Sequence, residues 1–399
     1  MLRNTFLRSA AFILFLNKAR SNPKCQYEVF LLQMDLFEKK LPSSKIGDHV
    51  PTYNGTNTMR DACDFIKDYF MKRKSKNDKN RKIYTHYTCA TDTQNVNFVF
   101  KAACDLILEQ KLKSSGIHRG SYRESAAIDR EIALQKMAEV DRVKILLLGG
   151  ADAGKSTILK QMRILHMNGY AEEEELSSYA KYIRFNIFQI YSVVAQGILS
   201  TYSHVEANEL SMIERFSRSI QWTLYLTVEQ EICELRAFGD LKCANMFLIE
   251  NPNWPALPDN HSYFLPNRTR VLSESFTPST DDILNLRIPK QNINEINFAF
   301  AKLTIRLIDV GGQRTYRKKW IHCFEGCAAV LFVVSMSSYD QRVEDVEDIE
   351  PILHSNIFQH REPKKRTNRL RDSAHLFGEM LRNYYLLSAA FILFLNKAC

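Results

Sequence analysis

The sequence KILLLGGADAGKST, from Lys144 to Thr157, joins an unbroken apolar run to a glycine-rich turn. Such a run predicts a strand buried on both faces of a parallel sheet, and the residues after the turn predict a helix. The spacing G-x-x-x-x-G-K-[ST] is met by Gly149, Gly154, Lys155 and Ser156. In this pattern glycines let backbone N–H groups surround phosphate oxygens, the lysine adds a positive charge, and the hydroxyl can bind Mg²⁺. We therefore predict a phosphate-binding loop rather than a glycine-rich turn beside a solvated lysine.

The composition is that of an ordinary globular chain. Hydrophobic residues make up 45% of the 399 residues and charged residues 25%, and the formal net charge is +9. This moderate positive charge favours phosphates or an acidic membrane face as partners and does not indicate nucleic acid binding. The nine cysteines include no C-x-x-C pair and no Cys/His cluster, which is typical of a reducing compartment.

One segment of the chain occurs twice. MLRNTFLRSAAFILFLNKA begins the sequence, and MLRNYYLLSAAFILFLNKA occupies residues 380–398. The first copy imitates a secretory signal peptide, with arginines before an apolar run and Ala19 after it. A signal peptide has no reason to recur near the other end of a chain, so we interpret both copies as buried strands. Neither apolar run is long enough to span a membrane.

The rest of the chain alternates helical and strand patterns. Helices are predicted over 59–74, 95–112 and 123–140, and strands over 83–89, 305–308 and 328–334. Residues 167–279 contain several helical stripes and no convincing pair of strands, whereas 20–34 and 344–366 fit neither pattern. This alternation implies a parallel sheet flanked by helices, with an all-helical domain inserted after the phosphate-binding loop.

A second candidate motif, DVGGQR, begins directly after the predicted strand over 305–308. Asp309 is an acid at the end of a strand downstream of a phosphate-binding loop, which makes it the expected partner of Mg²⁺ through water. Gly312 would bring a backbone N–H to the terminal phosphate, and Gln313 could orient an attacking water. The two motifs together point to transfer of a phosphoryl group to water.

Longer stretches around these motifs resemble heterotrimeric G-protein α subunits. The stretches are KILLLG…GKSTILKQMRILH, YFLPNRTRVL…TPSTDDILNLRI, DVGGQR with RKKWIHCFEG, TCATDT and FLNK. TCATDT resembles the family's guanine-contacting loop, and FLNK resembles the start of the family's NKxD motif. The resemblance covers most of the chain. It implies an α/β fold, namely a Ras-like P-loop GTPase domain with a parallel-rich sheet plus an inserted all-helical domain.

The resemblance also implies roles for individual residues. Gln313 would position the attacking water, and Arg287 would be an arginine finger in the same chain that stabilises charge on the transferring phosphoryl group. Mg²⁺ would be held by Ser156 and, via water, by Asp309. The implied nucleotide-binding residues are Gly149, Asp152, Ala153, Gly154, Lys155, Ser156, Thr157, Leu286, Asp309, Gly312, Asn17, Lys18, Asp35 and Ala90. Ala90 would offer its backbone N–H to the base.

Three departures from the family pattern concern catalysis, metal binding and the phosphate-binding loop. Ala151 stands where the family usually has glycine, and its methyl would crowd Gln313 and the attacking water. Lys290 stands where the family has a Mg²⁺-binding threonine, and a cation cannot bind a cation. Ala153 replaces the serine of the family and so loses one hydroxyl. We therefore expect metal coordination to depend on Ser156 and solvent.

Recognition of guanine is also incomplete. No aspartate follows Asn17 and Lys18 at the usual spacing, because residues 20–34 are inserted there. Asp35 resembles the displaced aspartate and could serve if the insertion loops out. A second NK pair, at 396–397, is followed by Ala and Cys and no acid.

The order of the motifs differs from that of the family, because NK and TCAT precede the phosphate-binding loop instead of following the switches. The predicted domains are 1–117 as the C-terminal half of the GTPase domain, 118–142 as an amphipathic helix, 143–167 as the phosphate-loop strand and helix, 168–285 as the helical domain, and 286–399 as the switches and second NK strand. A permuted copy, the back of one subunit fused to the front of another, and a sequence bridging two tandem copies would all give this order.

The resemblance implies a signal transducer that binds GTP and GDP with Mg²⁺ and hydrolyses GTP, slowly because of Ala151. The implied partners are a G-protein βγ dimer, a seven-helix receptor and an effector enzyme. Peripheral association with the cytoplasmic face of the plasma membrane, or a cytoplasmic location, would follow. No M-G start precedes the helix over 123–140, so no lipidation site is supported. The alternatives are a non-hydrolysing decoy or scaffold that binds effectors or βγ, and a fused product without function.

Overall fold

The computed structural model describes residues 36–75, 82–114, 143–218, 227–252, 254, 256–288, 293–300, 303–312, 314–342 and 367–397. The chain divides into two compact units, one from residues 1–158 and 292–399 and the other from residues 159–291. The first copy of the repeated segment, the helix over 123–140, and the segments 20–34 and 344–366 lie outside the described residues.

A parallel-rich sheet forms the first unit. Its strands are β1 (Ile83–Thr88), β2 (Val143–Gly149), β3 (Asn294–Phe300), β4 (Leu303–Asp309), β5 (Ala329–Ser335) and β6 (Ala390–Asn396). They lie in the order β1-β6-β5-β2-β4-β3, and each neighbouring pair is parallel except β3 and β4. The predicted fold class is confirmed. β1 precedes the phosphate-binding loop in the chain yet lies at the edge of the sheet opposite β3.

The central strands owe their position to their apolar sequences. Every residue of β5 and β6 is buried, and so is every residue of β2 except Lys144. β3 was not predicted from the sequence. Its residues, NEINFAF, are mostly exposed or half-buried because it is an edge strand, and such a strand lacks the continuous apolar run of a central one.

Helices surround the sheet and form the second unit. They are α1 (Leu36–Lys40), α2 (Ile46–His49), α3 (Met59–Met71), α4 (Thr93–Ser114), α5 (Lys155–His166), α6 (Glu173–Thr201), α7 (Ala207–Arg218), α8 (Val228–Gly239), α9 (Lys242–Glu250), α10 (His261–Phe264), α11 (Arg268–Val271), α12 (Thr280–Asn285) and α13 (Arg369–Arg382). The helices predicted over 59–74 and 95–112 correspond to α3 and α4. None of the described helices has the length and apolar content needed to cross a membrane.

The core of the first unit lies between the sheet and helices such as α3 and α13. Phe70 of α3 is fully buried, on the stripe that the sequence predicts. The Phe377 ring of α13 lies 5.8 Å from the Phe70 ring and 4.9 Å from the Phe332 ring of β5, measured between centroids. These contacts bind α3, which precedes the phosphate-binding loop in the chain, to elements that follow it.

The second copy of the repeated segment supplies β6. This strand pairs in parallel with β5 on one side and with β1 on the other, so that Phe391 lies opposite both Val330 and Ile83. One NK strand is thus seated in the described sheet, and it is the copy at 390–396.

The second unit is helical throughout its described part, which agrees with the prediction for residues 167–279. Its core follows α6, where apolar side chains meet those of α7, α8 and α9. The Phe216 ring lies 5.4 Å from that of Phe188 and 4.3 Å from that of Phe238, and the Tyr191 ring lies 4.9 Å from that of Phe238. An aromatic cluster therefore fixes α7 and α8 against α6.

A buried acid stabilises the end of this helical unit. Asp282, in the first turn of α12, accepts hydrogen bonds from both terminal nitrogens of Arg270, at 2.9 and 2.6 Å. It also accepts from the Ser279 N–H and hydroxyl and from the Tyr263 hydroxyl. Burial alone raises the pKa of this carboxyl, but the hydrogen bonds from Arg270 and Ser279 outweigh burial, so the pKa of Asp282 is lowered.

Replacement of a buried leucine in β6 tests which copy fills the sheet. Leu393 is fully buried, so Leu393→Ala should lower the free energy of unfolding by about 2–5 kcal/mol in equilibrium denaturation. The matched control is Leu14→Ala, which makes the same change at the corresponding position of the first copy. A full loss from Leu14→Ala with none from Leu393→Ala would mean that the first copy fills this place.

The ion pair of Asp282 should give a pH-dependent contribution to stability. Asp282→Asn should lower the free energy of unfolding by about 1–3 kcal/mol at neutral pH, because a charged acceptor of several hydrogen bonds is lost. Since the pKa is lowered in the folded state, the contribution exists above the ordinary carboxyl pKa of about 4 and disappears as the pH falls below it.

The measurement is equilibrium unfolding of both proteins between about pH 7 and pH 3. Asp281→Asn, at the exposed neighbouring position, serves as the control. A difference between wild type and Asp282→Asn that stays constant over this range would contradict the ion-pair explanation.

Candidate functional site

The phosphate-binding loop lies at the carboxyl edge of the parallel strands. β2 ends at Gly149, and α5 begins at Lys155. Asp309 ends β4, the parallel neighbour of β2, while Asn396 ends β6 opposite Thr88 of β1. Open α/β sheets bind ligands at this edge. Parallel pairing therefore brings the two predicted motifs and the TCAT loop to one side of the sheet.

Two glycines of the loop occupy places that no side chain could share. Gly149 has φ +142°, and a Cβ there would lie 2.1 Å from the Val333 carbonyl oxygen. Gly154 has φ +99°, and a Cβ there would lie 2.1 Å from Nδ2 of Asn396. The loop thus passes against both β5 and β6. The sequence pattern explains glycine at these positions by the close approach of the backbone to phosphate. The structure gives a second reason, the close approach of the backbone to protein atoms.

Lys155 is held at the centre of the loop. It is buried, and its Nζ donates to the carbonyls of Gly149, at 3.1 Å, and Gly150. A Cβ on Gly312 would lie 2.5 Å from the same Nζ, so the backbone of the second motif borders the lysine directly. An ammonium group fixed between two backbone segments is the point charge that a nucleotide phosphate requires.

Ser156, which follows this lysine in the chain, contacts Asp309 at the end of β4. The Ser156 hydroxyl donates to Oδ2 of Asp309 at 3.0 Å, and Asp309 is buried. A hydroxyl and a carboxylate are oxygen ligands of the kind that Mg²⁺ prefers. The residues present therefore fit the metal that the sequence predicts.

Asn396 connects the phosphate-binding loop with the TCAT loop. Its Nδ2 donates to the Ala153 carbonyl at 2.8 Å. Its Oδ1 accepts from the Ala90 N–H at 3.0 Å and from the Thr88 hydroxyl at 3.2 Å. The Ala90 N–H, which we expected to face a base, donates in this structure to Asn396, because β1 and β6 end side by side.

The other predicted residues of the phosphate-binding loop have distinct surroundings. Ala153 is buried, and Thr157 is half-buried in the first turn of α5. Asp152 has φ +57° and is exposed, and its carboxylate lies 3.2 Å from Arg369 at the start of α13. Ala151 is exposed.

Arg287 and Leu286 belong to the helical unit and are described within it. The Arg287 N–H donates to Oδ1 of Asn186 at 2.9 Å, and Nδ2 of Asn186 donates back to the Arg287 carbonyl at 2.8 Å. Nζ of Lys160 on α5 donates to the Leu286 carbonyl at 2.8 Å, and Leu286 is buried. Paired side-chain bonds from Asn186 therefore fix the backbone that carries the predicted arginine finger.

Several predicted residues lie outside the described part of the chain. They are Asn17, Lys18, Asp35, Gln313 and Lys290. Within the described part, Asn396 holds the position that we assigned to the first NK pair. The sequence had shown the second copy, but two identical copies gave no means to choose between them. Asn186 was not predicted at all, since one asparagine on an amphipathic helix carries no recognisable signal.

Comparison with known proteins agrees with this geometry. The family described as "G-alpha: G-protein alpha subunit" matches residues 1–107 and 122–398. The chain is similar to the guanine nucleotide-binding protein alpha-5 subunit of Caenorhabditis briggsae, with 34% identity over 294 residues, 70% of this chain and 75% of the relative. It is also similar to the alpha-6 subunit of Caenorhabditis elegans, with 33% identity over 284 residues, 70% of this chain and 72% of the relative.

These matches confirm the family and the function class predicted from the motifs, a guanine-nucleotide-binding signal transducer with GTPase activity. The family match covers sequence on both sides of the phosphate-binding loop, as do the strands of the sheet. The chain belongs to the G-protein alpha subunit family.

Proposed function

We propose that this chain is a GTP-dependent switch with slow turnover. The contact between Ser156 and Asp309, beside a buried Lys155, carries the proposal. Lys155 and the backbone N–H groups of its loop bind the phosphates of GTP or GDP. Ser156 and, through water, Asp309 hold Mg²⁺, which neutralises charge on the phosphate oxygens when it is bound.

Guanine recognition in this proposal depends on Asn396. This residue connects the TCAT loop to the phosphate-binding loop, so it sets the distance between the places for base and phosphate. Cys399 follows at the spacing where the NKxD motif has its aspartate. Without that carboxylate, donors on the base lack a partner unless Asp35 supplies one, so the preference for guanine over adenine is reduced.

Hydrolysis would use Gln313 to orient water and Arg287 to stabilise charge, the roles that the resemblance implies. The Ala151 methyl opposes them, because the attacking water and the glutamine amide need that space. Small displacements of a reacting group can cost about a hundredfold in rate. A long-lived GTP-bound state follows. Complete loss of hydrolysis would give the second candidate function, a non-hydrolysing binder of effectors.

The partners in this proposal are those of the family: a βγ dimer, a seven-helix receptor and an effector enzyme. The formal net charge of +9 supports peripheral association with an acidic membrane face. A location at the cytoplasmic face of the plasma membrane, or in the cytoplasm, fits these partners.

Asn396→Ala tests nucleotide binding at this site. The change removes the one hydrogen bond from Asn396 to the phosphate-binding loop and its two to the TCAT segment. The Kd for GDP should therefore rise about 10- to 100-fold, which corresponds to about 1–3 kcal/mol. Fluorescent GDP titration would measure it. Asn17→Ala is the matched control from the first copy, and an effect confined to Asn17→Ala would overturn the assignment.

Ala151→Gly tests the cause of slow turnover. Removing the methyl should raise the single-turnover rate of GTP hydrolysis several-fold with little change in GTP affinity, because space for the water is restored. Gln313→Leu added to Ala151→Gly should cancel the gain. An unchanged rate in Ala151→Gly would show that the methyl does not slow hydrolysis and would favour Lys290 as the cause.

A further inference from the structure

The helical unit holds a cavity that the nucleotide chemistry does not use. It has a volume of about 160 Å³, and its walls include Tyr191, Arg236, Gly239, Asp240, Arg268 and Thr269. These residues come from α6, α8 and α11 and from the residue after α8, so the cavity lies within one compact unit. Its volume is enough for roughly five water molecules or one small ion.

Tyr191 forms the inner end of this cavity. Its side chain is 1% exposed, whereas Arg236, Asp240 and Thr269 are exposed. Among the described residues its hydroxyl has no hydrogen-bond partner, a condition that destabilises a buried hydroxyl. Burial raises the pKa of Tyr191 to about 12, so the group remains a neutral O–H donor. A buried donor without an acceptor therefore belongs to a residue of the cavity wall.

The walls carry further donors and an excess of positive charge. Arg236 and Arg268 bring two guanidinium groups, and Asp240 brings one carboxylate. Within the described chain, Arg236 donates to the Leu272 carbonyl and Arg268 to the Leu265 carbonyl. Because a guanidinium has five N–H donors, each arginine retains donors for a ligand. Their planar geometry suits carboxylate and phosphate oxygens.

Gly239 lets the Tyr191 hydroxyl pack directly against the end of α8. A Cβ at this last residue of α8 would lie 2.5 Å from the Tyr191 hydroxyl oxygen and 3.6 Å from Nε of Arg268. The Tyr191 hydroxyl and the Arg268 guanidinium therefore both lie near this end of α8, where a side chain larger than hydrogen would displace the hydroxyl.

We propose that this cavity binds a small oxyanion, a carboxylate or a phosphate, between the Tyr191 hydroxyl and the Arg268 guanidinium. The anion gives the buried hydroxyl its acceptor and offsets the excess positive charge of the walls. A cation is disfavoured by the two arginines, and an apolar ligand would leave the hydroxyl without a partner. The site is separate from the phosphate-binding loop, which belongs to the other compact unit.

Thermal melting of the full chain with saturating GDP and Mg²⁺ tests the proposal. Potassium phosphate and potassium acetate are each titrated against potassium chloride at constant ionic strength, and the more effective salt identifies the class of anion. At least one should raise the melting temperature above the chloride value. Tyr191→Phe should weaken binding of that anion about tenfold or more. Gly239→Ala should abolish the anion's effect, because the added methyl displaces the Tyr191 hydroxyl.

Three controls separate this site from general effects. Tyr191→Phe without added oxyanion should melt at or above the wild-type temperature, since it removes a buried hydroxyl that lacks a partner. Tyr182→Phe, on the exposed side of the same helix, should respond like the wild type. Lys155→Ala, measured without nucleotide, should retain the anion response.

The proposal is overturned if the wild type shows no response above chloride, if Tyr191→Phe and Gly239→Ala respond like the wild type, or if Lys155→Ala alone abolishes the response.

Discussion

The side-chain amide of Asn396 joins three segments that are far apart in the chain. It lies at the end of β6, donates to the phosphate-binding loop at Ala153 and accepts from Thr88 and Ala90 of β1 and its loop. A buried amide that loses its partners is costly, so the three segments must be in place together. Gly154 completes the arrangement, because any side chain there would strike the amide.

This contact explains how segments far apart in the chain can meet at one edge of the sheet. A nucleotide site of this kind is assembled from the carboxyl ends of parallel strands, and those ends are aligned by register. Register depends on which strands pair, and the connections between them run elsewhere. β1 can therefore precede the phosphate-binding loop by many residues and still end beside β6.

Buried polar side chains in the helical unit fall into two kinds. Asn186 and Asp282 are surrounded by partners and fix backbone, the first at Arg287 and the second at the start of α12. Each restricts a segment that leads toward the predicted arginine finger. Tyr191 is equally buried but lacks a hydrogen-bond partner among the described residues, and it belongs to the wall of a cavity that also includes two arginines. The first kind stabilises the unit, whereas the second leaves a donor for something from outside.

The sequence by itself determined the chemistry and most of the elements. The spacing of Gly149, Gly154, Lys155 and Ser156 specified a phosphate site, and unbroken apolar runs specified the central strands, because these signals are local. The edge strand β3 was not predicted, since half-exposed residues give only a weak pattern of hydrophobicity.

Only the tertiary structure chose between the two identical NK copies, because the choice rests on pairing with β5 and β1 and not on any residue of the copy itself. It also decided that the Ala90 N–H bonds to Asn396 and that Tyr191 lines a cavity with Arg268. Both are contacts between residues distant in the chain, and periodicity or spacing cannot encode them.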